Sequence, residues 1–400
     1  MHSALLRHLA CLPVLACAAA AQGAPSGMET APCRPAPLLA PGAIAPYSAV
    51  PADAWTELFD QTSGWTGADG VYSIPLSGDE RACAGHLTQT FFTFSDTFIG
   101  EVDGHGHRLP GTVMVNNTQA LLTGAKPLKD ALEFFWKTDA LGKPTAMVVP
   151  DTAPEESLWP QDGIAIGGKL FLFAMRMAPA ATPFGFEIAG VSQLVWQVGP
   201  GMPFATYTQS ATPLQDGVDS YGRAVLANTA EAHAPFPDGY VYVYGLRELP
   251  FDKQMLAARV APGDVGDFAS YRFWDGAAWS PDLHAAAPLV HRMSSEYSVS
   301  PLADGRFLVT YQQDDFLGQD VTVRFAATPV GPFDDVVPVY HIPEPGLDPD
   351  IYAYGSKAHP HLSRPDRLLI SYHVNTFDFA DHFTYADIYR PRFVELPLGP

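Results

Sequence analysis

Five times along the chain, a turn signal is followed by a stretch in which β-branched or aromatic residues alternate with other types. The stretches are GHLTQTFFTFSDT (Gly85–Thr97), GGKLFLFAMRM (Gly167–Met177), DGYVYVYGLRE (Asp238–Glu248), DGRFLVTYQQD (Asp304–Asp314) and PDRLLISYHVN (Pro365–Asn375). Alternation at period two is what a strand with one buried face requires. Each stretch carries an aromatic at an equivalent place: Phe94, Phe173, Tyr244, Tyr311 and Tyr372, at intervals of 79, 71, 67 and 61 residues. Such intervals are wide for a bare four-stranded unit, so long loops between strands are expected.

A further short strand precedes each stretch: GADGVYSIPL, LWPQDGIAI, YGRAVLAN, SSEYSVSPL and GSKAHPHLS. Outer-strand candidates follow, among them SQLVWQV, MLAARVA and VTVRFAA. Inner strand, hairpin and outer strand, repeated five times, predict an all-β chain folded as a five-bladed β-propeller. A β-sandwich is the alternative, but it would not produce five similar units. One short helix is expected, around Leu128–Lys137. No linker interrupts Tyr47–Leu398, so residues 47–400 read as one domain behind a Pro/Ala-rich lead-in, 25–46.

Residues 1–24 change the setting. His2 and Arg7, an apolar Leu/Ala/Cys stretch and small residues ending in Ala19-Ala20-Ala21 have the order of a secretory signal. Val14-Leu15-Ala16-Cys17 also resembles a lipoprotein processing site, so a lipid anchor at Cys17 stands beside soluble secreted or periplasmic export. No later stretch has the ~18 uninterrupted apolar residues of a membrane span. Cys33 and Cys83 are the two cysteines beyond the signal, and in an oxidising compartment they form one disulfide or stay as separate thiols. A formal net charge of -20 argues against nucleic acid and against acidic polymers, leaving neutral ligands. No phosphate loop, G-x-S-x-G elbow or H-E-x-x-H sequence is present.

In a propeller the inner strands line a central channel, where side chains from different blades converge. The polar residues on those strands are Asp69, Asp162, Tyr221, Arg223, Glu296, Tyr297, Lys357, His359 and His361. Carboxylates from three blades suit glycoside hydrolysis, in which one stays ionised and another has its proton affinity raised to act as acid. Each has a bland reading as well. Asp69 and Asp162 precede glycines and suit turns, and Asp96 in FSDTF suits a turn cap. Glu296, flanked by Ser294, Ser295 and Tyr297, has poor strand propensity and needs partners if buried.

Lys357, His359 and His361 fall at period-two spacing, on one face of a continuing strand. That face suits sugar hydroxyls, a metal held by His359 and His361, a calcium ion near the axis, or simple core packing. Asn116 and Asn117 either satisfy backbone groups or contact sugar hydroxyls. Trp65, Trp159, Phe184 and Phe186 either stack on sugar rings or seal the junctions between blades.

The order Asp69, Asp162 in LWPQDG, Glu296 in SSEYS and a late histidine resembles the five-bladed glycosidases of glycoside hydrolase family 43. By that resemblance Asp69 is the base, Asp162 the modulator, Glu296 the acid and His359 the axial residue. A resemblance over nearly the whole mature chain rests on GADGVYSIPL, FSDTFIG, MVNNT, YVYVYG, YRFWDGAAW, EYSV, KAHPHLS and LLISYHVNTFD. These look like the exported bacterial families of unknown function DUF5005 and DUF4185, some of whose relatives are described as endo-D-arabinanases. The expectation is a secreted glycoside hydrolase, needing no cofactor, on a neutral and arabinan-like polysaccharide or oligosaccharide. Asp69, Glu296 and Asp162 would carry catalysis. Asp96, Asn116, Asn117, Tyr221, Arg223, Tyr297, Lys357 and His359 would bind substrate, with the chain acting as a monomer. The rival is a non-catalytic carbohydrate-binding propeller.

Overall fold

The computed structural model describes residues 44–182, 185–199, 204 and 206–398. The protein is all-β. Five antiparallel sheets of four or more strands follow one another along the chain. Their inner strands are Tyr72–Pro75, Ser157–Ile166, Asp219–Asn228, Tyr297–Pro301 and Ile351–Ala358. Each packs beside the next in chain order.

The alternating stretches form the second strands: Gln89–Phe94, Lys169–Pro179, Tyr240–Leu249, Phe307–Gln312 and Arg367–Thr376. All five equivalent aromatics, Phe94, Phe173, Tyr244, Tyr311 and Tyr372, are buried. Burying side chains of this size stabilises by ~1.5–3 kcal/mol each. They join apolar clusters that lie between successive sheets. Ile74, Phe91, Leu158 and Leu172 bridge the first two sheets, and Phe173, Val191, Val225 and Val243 the next two. Tyr244, Met255, Tyr297 and Tyr311 continue the series, followed by Leu308, Val323, Ile370 and Val394. A last cluster of Phe59, Trp65, Phe94, Leu369 and Phe393 joins the fifth sheet to the first.

The fifth sheet is completed from the other end of the chain. Val50–Pro51 pairs antiparallel with Arg392–Pro397, with Val50 opposite Glu395. The helix expected around Leu128–Lys137 does not form. A single 3-10 turn, Lys129–Ala131, leads into strand Leu132–Phe135, whose Phe134 and Phe135 pair with Ala120 and Gln119. Two aromatics in four residues gain more from a half-buried sheet edge than from a short helix. The α-helices among the described residues are short, Asp53–Leu58 and Asp381–Thr384. No helix among the described residues is long and apolar enough to cross a membrane.

One smaller sheet positions the chemistry. Strands Ser63–Ala68, Thr97–Glu101 and Val113–Val115 form an antiparallel ladder beside the first sheet, with Ala68 opposite Thr97. The residue after Ala68 and the residue before Thr97 are both aspartates.

Candidate active site

Asp69 and Asp96 sit side by side at the end of that ladder. The Asp69 amide donates to the Asp96 carbonyl at 3.3 Å, and the Ser95 amide donates to the Asp69 carbonyl at 3.0 Å. The Oδ1 atoms of both aspartates are shielded from solvent and accept no hydrogen bond from the described residues. Burial raises the Asp69 carboxyl well above the usual carboxylate range, and the charges of Asp96 and Glu296 add to the effect. Burial likewise pushes Asp96 up to about 7, while Asn116 and Trp159 hydrogen-bond its carboxylate and hold it down. Both carboxyls therefore resist ionisation, and the charge of Asp96 adds to the resistance of Asp69.

Tyrosines from the fifth sheet and its following loop complete this corner. The Tyr354 hydroxyl donates to Asp69 Oδ2 at 3.0 Å, and the Tyr389 hydroxyl bonds the same carboxylate. Tyr389 is buried with a φ of 75°, a left-handed conformation costing a bulky residue about 1–3 kcal/mol. Two buried arginines hold its segment in place. The Thr66 carbonyl accepts from Arg108 Nη2 at 2.8 Å and from Arg390 Nε at 3.0 Å. Arg108 also donates to the carbonyls of His382 at 2.5 Å and Ala386 at 3.0 Å. Gly67 permits this contact: a Cβ there would lie 2.4 Å from the Arg108 guanidinium and 2.6 Å from the Tyr389 carbonyl.

Glu296 precedes the fourth inner strand and is ion-paired with the buried Lys357 of the fifth. Lys357 also donates to the Gly355 carbonyl at 3.1 Å and lies 4.4 Å from the centre of the Tyr72 ring. Asp162 belongs to a second carboxylate group, not to the first. Its Oδ1 accepts the Gly163 amide at 2.8 Å, and its Oδ2 accepts the Val225 amide of the next inner strand at 2.7 Å. Burial, reinforced by the charge of Glu80, raises its carboxyl to about 8. Glu80 reaches His361 Nδ1 at 3.4 Å. A narrow polar cleft runs past Ser73, Glu80, Asp162, Ser298, Ser300 and Lys357.

Lys357, His359 and His361 do not share one strand face. The fifth inner strand ends at Ala358, and Pro360–Leu362 forms a 3-10 turn because proline cannot extend the ladder. His359 is buried with Nδ1 2.6 Å from Ser73 Oγ and Nε2 2.8 Å from Ser371 Oγ. Burial, with the nearby charges of His361 and Lys357, holds its ring neutral. Both nitrogens are thus engaged by hydroxyls that tie the first and fifth sheets together. Among the described residues no group of three or more His, Cys, Asp or Glu side chains is arranged to hold a metal.

The remaining expected ligands divide into supports and exposed groups. Tyr297 is buried and donates to the Gly245 carbonyl at 2.8 Å. Arg223 is buried against Glu248 at 2.6 Å and Ser220 at 3.2 Å. Tyr221 packs edge-on to Phe273 within the core. Asn117 is a strut, donating to Val148 and Leu158 carbonyls at 2.9 and 3.0 Å. Asn116 is exposed beside Asp96. Trp65 is a core residue, Trp159 is half-buried against Phe186, and Phe184 lies outside the described residues. Cys83 is disulfide-bonded, while its expected partner Cys33 lies outside them. Tyr354, Tyr389 and Glu80 carry no sequence signal of a site role. The FSDT motif is the one trace of Asp96.

The model of a family described as a domain of unknown function, DUF5005, matches residues 52–397. No curated protein matches the chain. Among solved structures, it is similar to a protein of Bacteroides ovatus provisionally named a hydrolase, with a TM-score of 0.69 and 19% identity. That likeness covers 89% of this chain and 93% of the other, and shows a shared fold. An α-L-arabinofuranosidase of Podospora anserina matches at a TM-score of 0.42 and 10% identity, over 89% of this chain and 96% of that one. A family 43 glycoside hydrolase of Xanthomonas citri matches at 0.40 and 14% identity, over 87% and 90%.

Proposed function

The chain belongs to the DUF5005 family, and from that premise we propose that it is an exported glycoside hydrolase built as a five-bladed β-propeller. The observation that carries the reading is the buried Asp69–Asp96 pair. Glycoside hydrolysis needs one carboxyl protonated and one ionised on either side of a glycosidic bond. Asp96, pushed up to about 7, and Asp69, raised well above the usual range, are the two carboxyls this reading assigns to those roles. The protonated member gives its proton to the leaving oxygen, and the ionised member serves the sugar carbon or an attacking water.

The acid role expected of Glu296 passes in this reading to the pair. Glu296, held by Lys357, takes the modulating role expected of Asp162, because its charge raises the Asp69 carboxyl. Asp162 becomes a linker between the second and third inner strands. Tyr354 and Tyr389 orient Asp69, and Asn116 and Trp159 face substrate beside Asp96. A neutral glycan, arabinan-like in the sequence reading, suits a chain of net charge -20. The export segment, residues 1–24, lies outside the described residues, so secretion rests on its sequence order alone.

The test is release of reducing sugar from a panel of neutral glycans by the mature protein and by Asp69→Asn, Asp96→Asn and Glu296→Gln. The two aspartate variants are expected to lose at least about a thousandfold and Glu296→Gln less, consistent with general acid–base contributions. Equal activity in all four proteins would refute this site. Glycan binding without release by any of them would favour the binding-only alternative.

A further inference from the structure

The carboxylate pair is flanked on two sides by aromatic rings that the core does not absorb. On the second-sheet side, the half-buried Trp159 meets Phe186 edge-on at 4.7 Å and directs its indole at Asp96. On the fifth-sheet side, the Tyr352 ring lies 5.7 Å from that of Tyr354, which hydrogen-bonds Asp69, and it stacks on Phe377 at 4.6 Å and 29°. Phe377 remains 59% exposed and its neighbour Phe379 56% exposed. Exposed aromatics that lie together, rimmed by polar groups, form the kind of patch that binds ligands. Their chemistry selects the ligand. The C–H faces of a sugar ring stack on such rings, while its hydroxyls need polar neighbours such as Asn116.

The second sheet packs on the first through its inner strand and the fifth is tied to the first by His359 and Ser73, so the two platforms approach the pair from different sheets. We propose that a neutral glycan chain crosses the pair with one unit against Trp159 and another against Phe377, so that the bond acted on is internal to the chain. This rests on the glycosidase reading for the cut itself, but the two binding platforms stand independently of it. A ligand of one sugar unit would fill one platform only, and affinity would then rise with chain length until both are occupied.

Affinity gel electrophoresis in linear arabinan, levan and xylan tests the platforms, using the full mature chain and its Trp159→Ala, Trp159→Phe and Phe377→Ala variants. Retardation by at least one polymer is expected, about tenfold weaker in each alanine variant, the equivalent of losing one good ring contact. Trp159→Phe keeps a ring against Phe186 and is expected to stay near the parent, which separates lost stacking from lost folding. Retardation that neither alanine variant weakens, or none in any of the three polymers, overturns the proposal. Product sizes tell the two claims apart. Ring-dependent binding without any sugar release sinks the glycosidase reading and leaves the platforms standing. Release of single sugars only, from a polymer whose binding ignores both rings, sinks the platforms and leaves the glycosidase.

Discussion

The Tyr354 hydroxyl donates to Asp69 Oδ2 at 3.0 Å, joining residues 285 positions apart in the chain. Tyr354 stands on the innermost strand of the last sheet, and Asp69 stands just before the innermost strand of the first. The candidate site is therefore assembled from both ends of the sequence, and its acidity depends on contacts that local motifs do not carry.

The proton on Asp96 should be visible in stability as well as in rate. Its carboxyl is pushed up to about 7 from an ordinary 3.8. Between about pH 4 and pH 7 the folded protein holds a proton that the unfolded chain has released. The folded state then binds more protons, so stability falls as pH rises through that window and levels off above about 7. Asp96→Asn is expected to raise the melting temperature at pH 8 and to change it far less at pH 4. Thermal unfolding across pH checks this, and a loss of stability at pH 8 would contradict the burial argument.

Catalysis should follow the same proton. If Asp96 shares the donor role, the rate declines as pH rises above about 7. A pH–rate profile that stays flat from pH 6 to pH 9 would remove the pair from the proton-transfer step.

Lys357 and Glu296 form a largely buried ion pair, and removing one partner leaves an uncompensated charge. Lys357→Met is expected to destabilise by about 3–5 kcal/mol in chemical denaturation, with the Lys357→Met/Glu296→Gln double variant recovering a substantial part. Additive losses in the double variant would show that the two side chains do not depend on each other.

Tyr389 holds its strained conformation so that its hydroxyl meets Asp69. Its hydrogen bond lowers the Asp69 carboxyl against the larger opposing effect of burial. Tyr389→Phe keeps the ring in the core and removes that bond, so the ionisation of the pair should move to higher pH with little change in melting temperature. Gly67→Ala acts on the same segment by collision, and should lower both stability and activity. An active, normally stable Gly67→Ala protein would contradict the 2.4 Å approach to Arg108.

Much of the scaffold was legible because period-two alternation is a local property. The five stretches became the second strands, and their aromatics became the seams between sheets. Leu128–Lys137 misled because the strand partner that claims Leu132–Phe135 is a separate segment, Thr118–Thr123. The site was legible in part. Asp69 and Asp96 were named from ADG and FSDT, but their adjacency comes from register, Ala68 opposite Thr97, which no spacing of 27 residues announces. His359 and His361 looked alike at period two until Pro360 ended the strand. Tyr389 could not be found, because its placement depends on two arginines that bind carbonyls and on a glycine that lets them approach.

Val50–Pro51 finds its strand partner in Arg392–Pro397, at the far end of the described residues. The fifth sheet is therefore complete only when segments far apart in the chain have met. Tyr354 and Tyr389, which hydrogen-bond Asp69, belong to that same fifth sheet and to the loop before its closing strand. Without the fifth sheet and that loop, both aspartates would remain but Asp69 would lose the two hydroxyls that bond its carboxylate, so docking of that sheet also sets how tightly the pair holds its protons.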